Sequence, residues 1–244
     1  YKPIIGSLLY YKFAAIMKAE NPLLVLLAFV AIYVIWGSTY LAIAYAIDTI
    51  PPFLMAGTRF IITAFILMIW MKIKNIPYPT KAQFKAASIS GIFMFVGGNV
   101  SVVWAEKYIS SGVAAIIIAS MPIWFVILDI EQLKNLGKNY LLTIGLILGF
   151  FGVIVLVGFD TLFLINSSPS VLLSYGLLIL ATITWAIGTL YTRKANHPPN
   201  VTSKIMVQLS ASGIVTLLLS LFSNEMGTFE LENVSSASIF ALGY

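Results

Sequence analysis

The sequence predicts an all-α integral membrane protein that crosses the bilayer several times. Apolar residues occupy 60% of the 244 positions and charged residues only 9%, whereas soluble domains carry about 25% charged residues. The mean hydropathy is +0.98. Apolar runs recur along the chain, and each approaches the roughly 20 residues that a helix needs to cross the hydrocarbon layer. A soluble core cannot bury this much apolar surface, so the lipid bilayer is the first expected partner.

Proline, asparagine and charged clusters separate the apolar runs into seven complete predicted spans and the start of an eighth. The predicted spans are residues 23–46, 53–71, 84–104, 111–130, 140–159, 171–191 and 203–222, followed by 237–244. Pro22, Pro52 and Pro199 lie at or just before helix starts, where a missing backbone N–H is tolerated. Met17 stands just ahead of the first span, so residues 1–16 are expected to be an upstream segment or an extension.

The loops between the predicted spans alternate in charge. One set carries the basic residues Lys12, Lys18, Lys72, Lys74, Lys81, Lys85, Lys134, Lys138, Arg193, Lys194 and Lys204. The other set carries Asp48, Glu106, Asp160, Glu225, Glu230 and Glu232, with Lys107 as its one basic residue. The positive-inside rule therefore predicts that the basic loops and the N-terminus are cytoplasmic. The basic residues flank spans and form no patch with aromatic residues, so no nucleic-acid partner is expected.

Two features of the first span recur in the sixth. Trp36 and Trp185 are 149 residues apart, and the pairs Pro51-Pro52 and Pro198-Pro199 are 147 residues apart. Chance can produce such matches, but the near-equal offsets favour a duplicated unit of five spans. Because five is odd, the second copy is inserted upside down, as in many secondary transporters. The predicted units are residues 17–160 and an incomplete second unit, residues 171–244, which lacks about three spans.

Three motifs resemble one transporter family in their order and spacing. They are WGSTYLAI at residues 36–43, IPPFLMAGTRF at 50–60 and GGNVSVVWAEKYISSGVAAIIIASMPIW at 97–124. The sequence resembles the EamA branch of the drug/metabolite transporter superfamily, specifically over residues 23–159 and more weakly over 171–222. This resemblance implies ten helices with both termini cytoplasmic. It also implies efflux of small metabolites, such as amino acids, across a bacterial inner membrane.

Two sets of side chains are candidates for the wall of a substrate path. Trp36, Thr39 and Tyr40 share one helical face about midway through the first span. Trp185 and Thr189 repeat the pattern in the sixth span, at the pseudo-equivalent place in the second unit. The alternative for both sets is helix packing, with each hydroxyl bonded to its own backbone. A lining role predicts that the two tryptophans flank one central path.

Three more residues stand out because they are unusual inside a span. Arg59 lies seven residues after Pro52, roughly 10 Å deep at 1.5 Å per residue, where an unpaired charge costs about 2.5 kcal/mol or more. It is predicted to bind an anionic group of the substrate or, alternatively, backbone carbonyls or an acidic side chain, Asp48 or Glu106. Asn99 is predicted to face the bundle interior, as substrate ligand or helix-to-helix hydrogen bond. Pro122 is predicted to bend its helix, as a hinge or as plain packing.

Faces of small residues occur in two predicted spans. Ser111, Ala115 and Ala119 form one, and Gly145 and Gly149 form the other. Such faces permit close helix approach. They are also compatible with a homodimer.

The composition narrows the function classes. The chain has no cysteine and one histidine, His197, so disulfides, thiolate metal sites and cysteine or histidine nucleophilic systems are not expected. We predict no enzyme activity, no metal and no cofactor. A secondary transporter working by alternating access is the leading prediction; a seven-helix receptor or a non-transporting scaffold is the alternative. Acidic residues are missing from the middle of every predicted span, so a proton relay is not supported and the energy source stays open.

Overall fold

The computed structural model describes residues 22–130, 133, 140–157 and 168–244, and these residues are helical apart from turns and short loops. The predicted extension at 1–16, the predicted loop at 134–138 and Asp160 lie outside the described residues. The chain divides into two compact units between Tyr40 and Leu41.

Eleven helices account for most of the described residues. They are α1 (Pro22–Ala46), α2 (Pro52–Ile73), α3 (Lys81–Gly91), α4 (Ser101–Ala105), α5 (Ser111–Ile118), α6 (Met121–Leu128), α7 (Tyr140–Val157), α8 (Pro169–Lys194), α9 (Val201–Phe222), α10 (Glu225–Thr228) and α11 (Ser236–Gly243). A π-helical segment, Ile92–Val100, joins α3 to α4, and a 3₁₀ turn, Leu231–Asn233, precedes α11.

Six helical stretches among the described residues are long and apolar enough to cross a membrane. They are Leu23–Ala46, Pro52–Ile73, Lys81–Ala105, Ser111–Leu128, Pro169–Lys194 and Val201–Phe222. The prediction of an all-helical, multi-pass membrane protein is confirmed at this level. The fifth predicted span corresponds to α7, in which Thr143–Gly152 forms a shorter apolar helical stretch. The seven-span count and the ten-helix inverted repeat stay predictions.

Side-chain caps explain why several helices begin before the predicted spans. Thr80 caps α3 in a reciprocal arrangement, in which its hydroxyl accepts from the Gln83 N–H and the Gln83 side chain accepts from the Thr80 N–H. Ser168 caps α8, and Pro169 occupies the first helical position. These caps satisfy N–H groups that have no partner inside a helix. The polar first turns are therefore helical although they lie outside the apolar runs.

The third span is not a regular α-helix. Its central nine residues, Ile92–Val100, form a π-helix that contains Gly97, Gly98 and Asn99. Long π-helical stretches are rare and occur frequently at functional sites. The wider turn changes which side chains share a face, so α-helical spacing does not describe this segment.

The fourth span is divided into two short helices. α5 ends at Ile118 and α6 begins at Met121, so residues 119 and 120 separate them. Pro122 lies in the first turn of α6, where its missing N–H costs little. The predicted span at 111–130 corresponds to the candidate span Ser111–Leu128, which is interrupted at residues 119 and 120 just before the proline.

Glycines allow close helix contacts in the unit that begins at Leu41. A Cβ atom added at Gly91 of α3 would lie 2.7 Å from the Gln208 backbone of α9. One added at Gly57 of α2 would lie 2.8 Å from the side chain of Leu217 in α9. α3 and α2 thus both pack closely against α9. Close approach through small residues is the usual way in which membrane helices associate.

Hydrogen bonds at one end of the bundle join segments that are distant in sequence. The Glu225 carboxylate accepts from the backbone N–H groups of Phe53 at 3.3 Å and Leu54 at 2.9 Å. It thereby caps the start of α2. The hydroxyl of Thr49 donates to Ser238 of α11 at 2.8 Å. The segment after α9 is therefore held against the connection between α1 and α2.

Candidate functional site

Arg59 and Asn99 form the first polar contact of the candidate site. Arg59 projects from α2 and donates a hydrogen bond from Nη2 to Oδ1 of Asn99 in the π-helical segment, at 2.9 Å. Its guanidinium carbon lies 5.7 Å from the centroid of the Phe60 ring, within the range of a cation–π interaction. Asp48, one of the acidic partners predicted for Arg59, is exposed, and no hydrogen bond joins the two residues in the described part of the chain. The asparagine amide is the hydrogen-bond partner, which the sequence analysis did not pair with Arg59.

Glu106 is the second charged group of the site. It follows the last residue of α4, its side chain is only 7% exposed, and neither carboxylate oxygen has a hydrogen-bond partner in the described part of the chain. Desolvation raises the pKa of Glu106 from 4.5 to about 8, and the positive charge of Arg59 opposes that rise. The protonated carboxyl therefore predominates at neutral pH. We call Arg59, Asn99 and Glu106 the Arg59 cluster.

A row of aromatic rings leads from the Arg59 cluster to α8. The Phe60 and Phe95 centroids are 5.5 Å apart, and those of Phe95 and Trp185 are 5.8 Å apart, both pairs in edge-to-face geometry. Trp185 packs on Gly98, where an added Cβ would lie 2.7 Å from the indole ring. The structure thus brings together three of the predicted site residues, Arg59, Asn99 and Trp185, on α2, the π-helical segment and α8.

The two predicted threonines bond to their own helices. Thr189 Oγ1 donates to the Trp185 carbonyl at 2.9 Å, and Thr39 Oγ1 donates to the Ile35 carbonyl at 2.8 Å. Trp36, whose side chain is 57% exposed, lies with Thr39 and Tyr40 in the unit that ends at Tyr40. The pairing of Trp36 with Trp185 along one path therefore stays a prediction.

Sequence reasoning missed two elements of the site, the π-helical segment and Phe95, and named Glu106 only as an alternative partner of Arg59. The π-helical segment had one signal, the Gly97-Gly98 pair before Asn99. Glu106 was assigned to a loop near the end of a span, because it precedes the charged Lys107 and ends an apolar run. Phe95 had no distinguishing signal among many apolar neighbours. Its role comes from its position between Phe60 and Trp185.

The opposite end of the bundle carries a different set of charges. Arg193, at the end of α8, forms an ion pair with Asp129, just after α6, with an N–O distance of 3.3 Å. A cavity of about 460 Å³ opens nearby, between the start of α3 and the end of α8, and Lys85 and Lys194 are among its lining residues. The arginine of this ion pair is exposed, whereas Arg59 is partly buried and Glu106 is buried.

The fold and the site define a class of protein: a polytopic helical membrane protein with a partly buried polar and aromatic cluster between its spans. Residues 23–158 match the EamA-like transporter family. This match covers more than half of the chain. The chain belongs to the EamA-like transporter family.

Two relatives with curated descriptions are transporters by name. The chain is 28% identical over 221 residues to the "uncharacterized inner membrane transporter YedA" of Escherichia coli K12, covering 89% of this chain and 67% of the relative. It is 26% identical over 171 residues to the "uncharacterized transporter YoaV" of Bacillus subtilis, covering 69% and 57%. The chain thus spans between one half and about two thirds of these relatives. No solved structure matches it.

Proposed function

We propose that the protein is a secondary transporter that exports small metabolites across a bacterial inner membrane by alternating access. Membership of the EamA-like transporter family supports the transport class. The printed name of the Escherichia coli relative, an inner membrane transporter, supports the location. The observation that carries the proposal is the Arg59 cluster with its adjoining aromatic row, enclosed between α2, the π-helical segment and α8.

The chemistry of this cluster suits a small amphipathic solute. Among the described residues Arg59 has one hydrogen bond, to Asn99, although a guanidinium carries five N–H donors. The remaining donors can bind a carboxylate or another anionic group. Phe60, Phe95 and Trp185 provide an apolar wall beside it. A pocket with apolar walls and few polar groups is the usual architecture for small-molecule binding.

Two irregular segments provide the places where helices can change shape. The π-helical segment carries Asn99 and meets Trp185, so a change in its winding moves both ends of the site. The interruption at residues 119–120 separates α5 from α6 beside Pro122. In the proposed cycle, Pro122 acts as the hinge, and Trp36 and Trp185 flank the path from pseudo-equivalent positions. Breaks of this kind are common where transporter helices line a cavity.

The direct test compares metabolites in the spent medium of cells with and without the complete gene. Trp185→Ala and Trp36→Ala should both reduce the accumulation of the exported compound while membrane abundance stays unchanged. Trp70→Ala is the control, since Trp70 lies near the end of α2 and is 50% exposed. Identical media with and without the gene would contradict transport and favour a receptor or a scaffold. Loss of membrane abundance in both tryptophan variants would indicate a packing role instead.

The proposed orientation, with a cytoplasmic N-terminus, has its own test. The chain has no native cysteine, so single-cysteine variants report on one position each. Lys81→Cys should be protected from an impermeant thiol reagent in intact cells, and Glu230→Cys should react. Reaction at position 81 in intact cells would reverse the orientation.

A further inference from the structure

Glu106 has a buried carboxyl group that the proposed function leaves unused. Its side chain is 7% exposed, and neither oxygen has a hydrogen-bond partner within the described residues. The backbone around it is ordinary, since its N–H donates to the Val102 carbonyl at 3.0 Å. An ionised carboxylate is very costly to bury without hydrogen bonds. The protonated form is therefore the one that fits these surroundings.

Arg59 is the charged group that acts on the pKa of Glu106. Arg59 faces it from α2 and lowers its pKa, against the larger effect of desolvation. On its own segment, Lys107 lies 5.9 Å from the centroid of the Tyr108 ring. The π-helical segment contributes Asn99 to the cluster, and this side chain carries no charge. On α8, Gly188 lies against Met94 and Thr184 lies against Gly97, so α8 runs antiparallel to this segment.

The charges of the Arg59 cluster do not balance in the conformation described. Arg59 is positive and bonded to a neutral amide, and Glu106 favours the protonated, neutral form at pH 7. The cluster then carries one net positive charge inside the bundle, where unbalanced charge is expensive. Ionisation of Glu106 removes the imbalance. So does the binding of an external anion to Arg59.

We propose that Glu106 is a proton-binding site coupled to anion binding at Arg59, so that the transporter carries a carboxylate-bearing metabolite together with one proton. With the anion bound, Arg59 is neutralised and Glu106 keeps its proton. With the anion released and the site open to water, desolvation no longer favours the neutral form, so Glu106 gives its proton to water and its carboxylate becomes the counterion of Arg59. The cluster is electrically neutral in both of these states. This inference rests on the proposed function, and it adds the substrate class and the coupled ion.

Coupling of this kind is a linkage between two binding events. Because an anion at Arg59 cancels the charge that lowers the pKa of Glu106, anion binding raises the proton affinity. By reciprocity, protonation of Glu106 raises the affinity for the anion by the same factor. Anion affinity should therefore decrease as the pH rises through about 8, the pKa of Glu106.

The experiment titrates the purified chain in lipid nanodiscs by infrared spectroscopy, following the C=O band of protonated carboxyl groups. The band should persist at neutral pH, disappear with a midpoint near 8, and be absent in Glu106→Gln. Glu225→Gln is the matched control, since that carboxylate accepts three hydrogen bonds, from Phe53, Leu54 and Ser220, and the band should remain. Isotope labelling of glutamate carboxyls in the unmodified chain assigns the band to glutamate, and its loss in Glu106→Gln assigns it to this residue. A carboxylate already ionised at pH 6 would overturn the proton site.

The experiment that tests the coupling uses benzoate as the anionic probe and benzamide as its neutral counterpart. At a pH above the midpoint, benzoate should cause uptake of close to one proton per chain from a weakly buffered solution. Benzamide should cause none. Glu106→Gln and Arg59→Gln should abolish the uptake, while Arg193→Gln should leave it unchanged. Absence of proton uptake by the unmodified chain with benzoate, and with acetate tested in parallel, would overturn the coupling.

Export measured in cells at different cytoplasmic pH distinguishes this inference from the proposed function. In cells with the complete gene, wild-type export should slow as the cytoplasmic pH is raised, and Glu106→Gln should lose this dependence. Export that occurs with the same pH dependence in Glu106→Gln would confirm transport and refute the proton coupling. Titration of Glu106 in nanodiscs without any exported compound in cells would refute the coupling to transport and the proposed function together.

Discussion

The glycines around α3, α8 and α9 and those of α7 have opposite surroundings. At Gly91 and Gly188 an added Cβ would lie 2.7 Å and 2.6 Å from the nearest atom of a neighbouring helix. A Cβ added at Gly145 or Gly149 of α7 would have no described atom of another helix within 4 Å. The residue type is the same in both regions. Glycine content therefore indicates where helices can approach, and the tertiary structure decides where they do.

The candidate spans also differ in how much of each is buried, and the more apolar spans are not the more buried ones. The Ser111–Leu128 stretch has the highest mean hydropathy of the six candidate spans, yet only 11% of its most apolar window is buried. The Lys81–Ala105 stretch has the lowest, and 44% of its window is buried. In a bilayer, lipid tails solvate apolar side chains as well as a protein interior does. The interior is consequently marked by small and polar residues, such as Gly91, Ser212 and Gln208.

The largest expected effect is the loss of stability when a glycine at a close helix contact is replaced by a larger residue. Gly91→Val places side-chain atoms against the backbone of Gln208, which cannot rotate away, so we expect a loss of stability of at least about 3 kcal/mol, the upper part of the range for overpacking. Thermal unfolding in detergent measures it. Gly149→Val is the control and should unfold close to the wild-type temperature. Equal destabilisation of the two variants would mean that the comparison between the regions does not hold.

The second prediction compares an enclosed arginine with an exposed one. Arg59→Met removes the hydrogen bond to Asn99 and the charge of the cluster, so export by the complete protein should fall to background. Arg193→Met removes an ion pair whose arginine side chain is 61% exposed, and export should stay near wild type. Membrane abundance, measured by immunoblot, controls for folding. Export that survives Arg59→Met would remove Arg59 from the site.

The third prediction concerns stability against pH. The pKa of Glu106 is raised from 4.5 to about 8 in the folded chain, so the folded state binds this proton more tightly than the unfolded state. Stability should therefore fall as the pH rises from about 4.5 to about 8 and then level off. Melting temperatures across this window measure the decline.

Two variants check the assignment of this decline to Glu106. Glu106→Gln should have a flatter pH profile, because glutamine does not titrate, and Glu225→Gln should keep the wild-type slope. An unchanged slope in Glu106→Gln would assign the pH dependence to another group.

The smallest effect is expected at the exposed ion pair. Asp129→Asn leaves Arg193 with a neutral partner, and exposed pairs contribute about 0–1 kcal/mol. The melting temperature should therefore change little, and 1 M salt should reduce the difference from wild type further. A large loss of stability would show that this end of the bundle is as enclosed as the Arg59 cluster.

Much of the fold could be predicted because the bilayer restricts the choices. Apolar length predicted helices at Pro52–Ile73 and Val201–Phe222 to within a few residues. Prediction was weaker where backbone geometry departs from the α-helix. The π-helical turn at Ile92–Val100 and the interruption at 119–120 depend on how neighbouring helices pack, and hydropathy does not record that packing.

The candidate site was predicted in part. Arg59 and Asn99 were identified because polar groups inside a span need partners, but their mutual hydrogen bond joins positions 40 residues apart. Glu106 was placed near a span end, and a proton relay was not supported on that ground. Its burial comes from the packing of α4 against α8 and α2, which the position at a helix end does not reveal.

The sequence by itself determined the class of the protein, its helical spans and the residues that are expensive in lipid, because these follow from local composition and the thickness of the bilayer. Only the tertiary structure decided which helices meet through their glycines, and which partner Arg59 has. It alone showed that the carboxyl group of Glu106 is enclosed without a hydrogen bond. These features depend on contacts between residues far apart in the chain, and each such contact exists only once the helices have packed.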